Sequence, residues 1–318
     1  MDLDKHQVEW LNESLNDTLE VVILPQASQI TGVPADIIGQ LISPTIKKHL
    51  EILETGRGRI LKNAYETAVT IVDIEQGYTF CVKQFNDRGL SHRIKGLFRK
   101  THGLRTFYNG SNLLLNGVPV AAPLALIRKR TGGLVSIEWI IMEFMGNYIE
   151  LDRYLIRKFE QGWSKEEQKS AVRQFGRFIG SMHSKVIFHS DLKTCNIMVS
   201  EKPSRSQDNC GSKSPQKETD PVSLGFCLLD YDDVNFSHYI SMRKRVKNLA
   251  QIFLSTPLLV NRVERMRFLD EYSLHAGIGM SNRRKLAQDV LRKTQGRQIL
   301  YVGVKGDVIE PVDFQSGK

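Results

Sequence analysis

The 318-residue chain has no run of about eighteen apolar residues, the length a helix needs to cross a bilayer, so no membrane-spanning helix is expected. Its start, Met1-Asp2-Leu3-Asp4-Lys5, is polar and acidic. It lacks the basic and apolar regions of a secretory signal. The expected location is therefore cytoplasmic, with peripheral contact at the inner face of the cytoplasmic membrane left open. Cysteine is scarce. Cys81, Cys195, Cys210 and Cys227 form no CxxC pair, which excludes a zinc knuckle or a dithiol redox motif and leaves free thiols in a reducing compartment. There is no internal repeat. Acid is missing where base is dense: the stretch from Arg88 to Ile137 holds nine Lys/Arg and no Asp or Glu, and Tyr239 to Leu300 holds thirteen against four. The net charge is only +9, so the rest of the chain is net negative. Two basic stretches on an acidic remainder point to a polyanionic partner. They lack interleaved aromatics and a recognition motif, so nucleic acid is not expected. Hydrophobic residues at 41% and charged residues at 25% are ordinary for a globular protein.

What is present falls into three textures. Residues 1 to about 55 read as helix and turn, punctuated by Pro25, Pro34 and Pro44. From Arg59 the pattern is β. Ala68-Val69-Thr70-Ile71-Val72, Tyr78 to Phe85, Leu124 to Ile127 and Leu134 to Met142 are β-branched or apolar runs bounded by turns. One helical pattern, through Leu104, Phe107, Leu113 and Leu114, interrupts them. Arg128, Lys129 and Arg130 read as a solvated turn. After Met145-Gly146 the chain turns helical. Ser164-Lys165-Glu166-Glu167 has capping-box spacing and opens a helix to about Met182. Residues 201–222 are polar and low in complexity, a mobile insertion between two strand-like pieces.

The chemistry sits in Phe188-His189-Ser190-Asp191-Leu192-Lys193-Thr194-Cys195-Asn196-Ile197-Met198-Val199 and, about thirty-five positions on, Leu228-Leu229-Asp230-Tyr231-Asp232. A carboxylate, an amide five residues later, a strand, then an aspartate ending an apolar strand is a phosphoryl-transfer layout. That reaction needs a carboxylate to orient and deprotonate the acceptor hydroxyl, hard oxygen ligands for magnesium, and cations for the developing charge. Asp191 supplies the first and Asn196 and Asp230 the second. Lys193 and the strand lysine Lys83 supply the third. Asp232 is either a second metal contact or a cap for the next helix. His189 reads as a hydrogen-bonding support of the loop rather than a proton donor.

This set resembles the protein-kinase-like superfamily. Met142-Glu143-Phe144-Met145 looks like its hinge, with adenine held by backbone near Glu143 and Met145, and Cys81-Val82-Lys83 takes the place of its phosphate-binding lysine. The resemblance implies an α+β, bilobal kinase-like fold. It has an antiparallel-sheet lobe over residues 56–142 and a mainly helical lobe over 143–300, with 1–55 as an N-terminal extension and 301–318 as a tail. ATP and Mg2+ are the implied cosubstrates.

Three departures bear on the acceptor. Lys62 to Thr67 carries no glycine where the Gly-rich loop belongs. The helix after Lys83 holds no glutamate to pair that lysine; Thr106 or a neighbour stands in its place, and Glu66 is the available substitute. No long activation segment and no Ala-Pro-Glu follow Asp233. A peptide platform is thus missing, which favours a compact hydroxyl acceptor. Leu114-Leu115-Asn116-Gly117-Val118-Pro119-Val120, Pro123-Leu124-Ala125-Leu126, Leu229-Asp230-x-Asp232, Lys244 to Gln251 and Arg265-x-Arg267-Phe268-Leu269 resemble the lipopolysaccharide kinase family. That likeness implies a Kdo or heptose hydroxyl of an anionic glycolipid as acceptor. Small-molecule kinases of the aminoglycoside or choline type, a protein Ser/Thr kinase, and a pseudokinase sensing lipid or nucleotide are the alternatives. Arg93, Lys95, Arg99 and Lys100 are the candidate substrate or membrane contacts.

Overall fold

The computed structural model describes residues 17–24, 34–75, 77–86, 89, 100–201, 222–297, 301–302 and 308–309. They belong to two compact units, Met1–Leu115 with Val120–Met145, and Asn116–Pro119 with Gly146–Lys318.

The first unit runs β1 (Asp17–Ile23), α1 (Ala35–Thr55), β2 (Arg59–Asn63), β3 (Thr67–Asp73), β4 (Thr79–Phe85), α2 (His102–Leu115), β5 (Pro123–Thr131) and β6 (Leu134–Glu143). The strands make one antiparallel sheet in the order β1-β5-β6-β4-β3-β2. Ile38, Leu41, Ile42, Ile46 and Ile52 of α1 recur at helical spacing and are buried with Val72, Val82, Leu126 and Ile140 of the sheet. The helix-and-turn reading of the first 55 residues fails at Asp17–Ile23. There Val21, Val22 and Ile23 pair with β5 as an edge strand, as β-branched residues on a half-buried ribbon do.

Arg128 and Arg130 are not in a solvated turn either. β5 continues through Thr131, and its register sets Arg128 opposite Glu20 on β1 and Glu138 on β6. Arg128 is only 7% exposed and Glu138 only 4%. Two buried opposite charges are tolerable because they are paired. Arg128 donates to Glu138 Oε1 at 3.2 Å and to Glu20 Oε2 at 3.0 Å. The other Glu138 oxygen accepts the Gly103 N–H at 2.9 Å, satisfying an orphan donor at the start of α2. A Cβ on Gly103 would lie 2.8 Å from that carboxyl, so the contact requires glycine.

The second unit runs β7 (Ile149–Glu150), α3 (Leu151–Glu160), α4 (Lys165–Ser184), β8 (Ile187–His189), β9 (Ile197–Ser200), β10 (Gly225–Leu228), β11 (Val234–Phe236), α5 (Met242–Ser255), α6 (Arg262–His275), α7 (Met280–Thr294) and a small hairpin of β12 (Tyr301–Val302) and β13 (Val308–Ile309). The capping box expected at α4 is present, with Ser164 and Glu167 each bonding the other's backbone N–H. Helices α4 and α6 lie backbone to backbone. A Cβ on Gly176 or Gly180 would sit 2.8 Å from the Phe268 or Tyr272 carbonyl. Phe175, Phe178, Phe226 and Phe268 fill the adjoining core.

Candidate active site

Two short antiparallel pairs shape the catalytic-type loop. Strand β8 delivers His189 and pairs with β11, and the loop passes into the 3₁₀ turn Thr194–Asn196 before entering β9. Strand β10 then runs back along β9, and Leu229 N–H meets the Asn196 carbonyl at 2.9 Å. That bond brings the end of β10, and so Asp230, back to the level of Asn196. Asp230 has φ 48° and ψ 46°, a left-handed conformation that costs a non-glycine residue about 1–3 kcal/mol and is found where the surrounding structure imposes it. Ser190 N–H bonds the Asp233 carbonyl and closes the loop against the turn that follows Asp230.

Asp191 is half-exposed. Lys193 Nζ lies 3.0 Å from its carboxylate. Asn196 Nδ2 donates to the Asp191 carbonyl at 2.8 Å and to its side chain at 3.4 Å. These bonds use the amide nitrogen, and the Cys195 thiol lies 3.9 Å from the amide oxygen. His189 is fully buried. Its Nε2–H donates to the Leu229 carbonyl at 3.0 Å, and its Nδ1 accepts the Asp191 N–H at 3.2 Å. Both bonds are made by the neutral ring, and burial holds its pKa below the usual value. His189 is thus a brace between the loop and the end of β10.

A further support comes from α5, whose stretch Lys244 to Gln251 the sequence marked only as a family likeness and not for any role at the loop. Gln251 accepts the Leu192 N–H at 3.3 Å and donates to the Ser190 carbonyl at 2.9 Å and to Asp191 Oδ1 at 3.4 Å. Asn248 donates to the His189 carbonyl at 2.6 Å and to Gln251 Oε1 at 2.9 Å, and accepts from His183 Nε2 at 3.1 Å. His183 Nδ1 is 2.8 Å from the Tyr272 hydroxyl. Thr194 is bound at both ends by Ser255. The signal was available in the sequence: Asn248, Gln251 and Ser255 are polar residues at helical spacing among Leu249, Ala250, Ile252 and Phe253.

The remaining candidates stand in the first unit. Lys83 occupies the middle of the sheet, with Val69 on one side and Ile140 on the other, and its Nζ is 5.3 Å from the Phe85 ring centre. Glu143 ends β6 and gives its N–H to the Ala122 carbonyl at 2.9 Å. Met145 is the last residue of that unit. The glycine-free turn between β2 and β3 closes by Ala64 N–H to the Thr67 carbonyl, and Asn86 holds it through the Tyr65 and Glu66 carbonyls. Thr106 is buried and returns its hydroxyl to the His102 carbonyl of its own helix. Of the basic candidates, Arg93, Lys95 and Arg99 lie outside the described residues, and Lys100 Nζ sits 5.1 Å from the Tyr108 ring centre.

Residues 88–258 match the family model of the lipopolysaccharide kinase (Kdo/WaaP) family. That is more than half of the 318 residues. The chain belongs to this family. As a Kdo/WaaP-family protein it is a kinase. Its fold is similar to that of WaaP in complex with acyl carrier protein, at 16% identity and a TM-score of 0.52, covering 87% of this chain and 98% of that one. The kinase-like α+β class, an antiparallel-sheet lobe and a helical lobe, follows. A curated relative, the EKC/KEOPS complex subunit bud32 of Aspergillus clavatus, is 29% identical over 139 residues, 36% of this chain and 47% of that protein. The match therefore spans about half of that relative's length. Among the described residues no helix is long and apolar enough to cross a membrane.

Proposed function

We propose that this kinase transfers the γ-phosphoryl group of ATP to a hydroxyl of a Kdo or heptose sugar in the lipopolysaccharide inner core. The single observation that carries the reading is the loop built around Asp191. Its carboxylate faces solvent with a lysine ammonium 3.0 Å away, and Asn196 and Asp230 are gathered at the adjoining strand ends.

In this reading Asp191 accepts the proton of the sugar hydroxyl and Lys193 takes up charge on the transferring phosphoryl. Lys83 holds nucleotide phosphates, and the backbone around Glu143 and Met145 receives adenine. Asn196 and Asp230 offer one amide oxygen and one carboxylate, hard donors of the kind magnesium takes together with nucleotide phosphates. Magnesium, when bound there, would supply positive charge to offset that of the phosphates. Gln251 and Asn248 keep the loop carbonyls and Asp191 oriented, so positioning is prepared before substrate arrives. The short path from Asp233 to α5 leaves the helical side without a peptide platform and favours a compact acceptor.

The test uses labelled ATP, magnesium and lipopolysaccharide lacking core phosphate, with parent protein and Asp191→Ala side by side. Label in the glycolipid with the parent only is the expected result. Label in protein alone, or in neither, overturns the acceptor assignment.

A further inference from the structure

Arg265, on the first turn of α6, places its guanidinium on four backbone carbonyls: Phe253 at 2.8 Å, Thr256 at 3.0 Å, Pro257 at 3.1 Å and Val260 at 3.0 Å. A planar five-donor group is suited to such a cluster of carbonyls. It fixes the loop between α5 and α6, which nevertheless displays two consecutive leucines to solvent. Leu258 is 41% and Leu259 44% exposed. The next turns of α6 continue the apolar surface with Val263 and Met266, 61% and 42% exposed. Met280, at the start of α7, is 87% exposed, and Arg283 of the same helix ion-pairs with Asp270, one turn beyond Met266. A rigid loop that holds leucines outward is a surface of interaction rather than a mobile tip.

The surrounding charge selects the partner. All four acids between Tyr239 and Leu300 are engaged within the fold: Glu264 by Arg267, Asp270 by Arg283, Glu271 by Arg173 and Arg177, and Asp289 by Arg292. Arg262, beside Val263, and Arg284, one turn from Met280, are both exposed. Apolar side chains projecting from a loop tip and helix ends, with arginines among them, suit the interface of an anionic bilayer. The location has a use. Thr194 of the catalytic-type loop is bonded to Ser255, only three residues before Leu258.

We propose that Leu258, Leu259, Val263, Met266 and Met280, with Arg262 and Arg284, form a membrane-seating surface that brings the Asp191 loop to the plane of an anionic lipid bilayer. The choice of a lipid partner rests on the glycolipid-acceptor reading.

The test is flotation of the full chain with phosphatidylglycerol vesicles and with phosphatidylcholine vesicles, in the absence of ATP. The parent is expected to bind the anionic vesicles, less as salt is raised. The Leu258→Glu/Leu259→Glu variant should lose about tenfold or more of that partition, and Arg262→Glu/Arg284→Glu should lose the salt-sensitive part. Thermal melting of both variants should match the parent, since every changed side chain is exposed. With the leucine variant, phosphorylation of vesicle-embedded glycolipid should fall while that of a deacylated, water-soluble acceptor is kept. A parent that ignores vesicles, a leucine variant that binds as the parent does, or docking of a soluble acidic protein on these leucines in place of lipid overturns the proposal. Failure of vesicle binding with glycolipid still phosphorylated sinks this surface alone. Normal vesicle binding with no acceptor labelled sinks the acceptor reading alone.

Discussion

Replacing Asn248 by aspartate should remove the part of this protein's loss of stability in acid that comes from His183. In the parent, burial holds the His183 pKa down from 6.5 to about 4. The folded form keeps the ring neutral while the unfolded chain takes up a proton below 6.5. Stability from this group is thus present above 6.5 and lost as pH falls toward about 4, at about 1.4 kcal/mol per pH unit and on the order of 3 kcal/mol in all. His49 and His189, also lowered by burial, add to the same slope. In the Asn248→Asp variant the donor 2.6 Å from the His189 carbonyl and 2.9 Å from Gln251 Oε1 becomes an oxygen facing oxygens. Burying that carboxylate should cost about 3–5 kcal/mol at neutral pH. A proton relieves it, either on His183 at 3.1 Å as an ion pair or on the new carboxyl as a restored donor. The folded variant therefore gains a proton that the folded parent refuses. The difference in unfolding free energy between the two should be largest at neutral pH and shrink by about 1.4 kcal/mol per pH unit toward acid. Urea unfolding followed by circular dichroism across that range measures it, and His49 and His189 cancel in the difference. Parallel curves for parent and variant would refute the network.

Three further outcomes follow. Asp230→Gly should raise the unfolding free energy by about 1 kcal/mol, because glycine accepts the left-handed backbone, while abolishing phosphoryl transfer; a variant that is both less stable and active contradicts this. Val186, at φ 60° between α4 and β8, is a β-branched residue in the same region, so Val186→Gly should raise the melting temperature, and a fall would show that its packing outweighs the strain. Glu138→Ala should cost about 3–5 kcal/mol by removing one of the two carboxylates that Arg128 meets and the acceptor of the Gly103 and Thr101 donors, in contrast to Glu51→Ala, whose exposed Lys48 partner predicts less than about 1 kcal/mol by chemical denaturation.

Legibility in the sequence followed how local each signal was. The capping box at Ser164, the strand that carries Lys83, the strand that leads to Asp230, and the Asp191 to Asn196 loop were readable because neighbours in sequence carry the pattern. The first strand was not. Asp17–Ile23 gains its identity from β5, more than a hundred residues away, and Glu20 declares its role only opposite Arg128. The charge run at Arg128 misled for the same reason: alternate residues of a strand face opposite sides, and composition does not say which side is covered. The support of the loop by Asn248 and Gln251 needed the fold to bring α5 against β8. The missing helix glutamate was correctly read as missing, yet nothing local indicated that α2 would instead receive a carboxylate from the sheet.

That carboxylate has a consequence for control. Glu138 fastens the first turn of α2 to the middle of its own sheet, and Arg128 and Glu20 lock it from behind. Swinging α2 away would take the Gly103 donor from Glu138 and leave one oxygen of a buried carboxylate unsatisfied, a cost that opposes such movement. An enzyme with a movable helix beside its nucleotide lysine can be throttled by whatever pushes that helix. This one has that lever welded. Motion of α2 against its sheet would be a poor route for controlling such a protein.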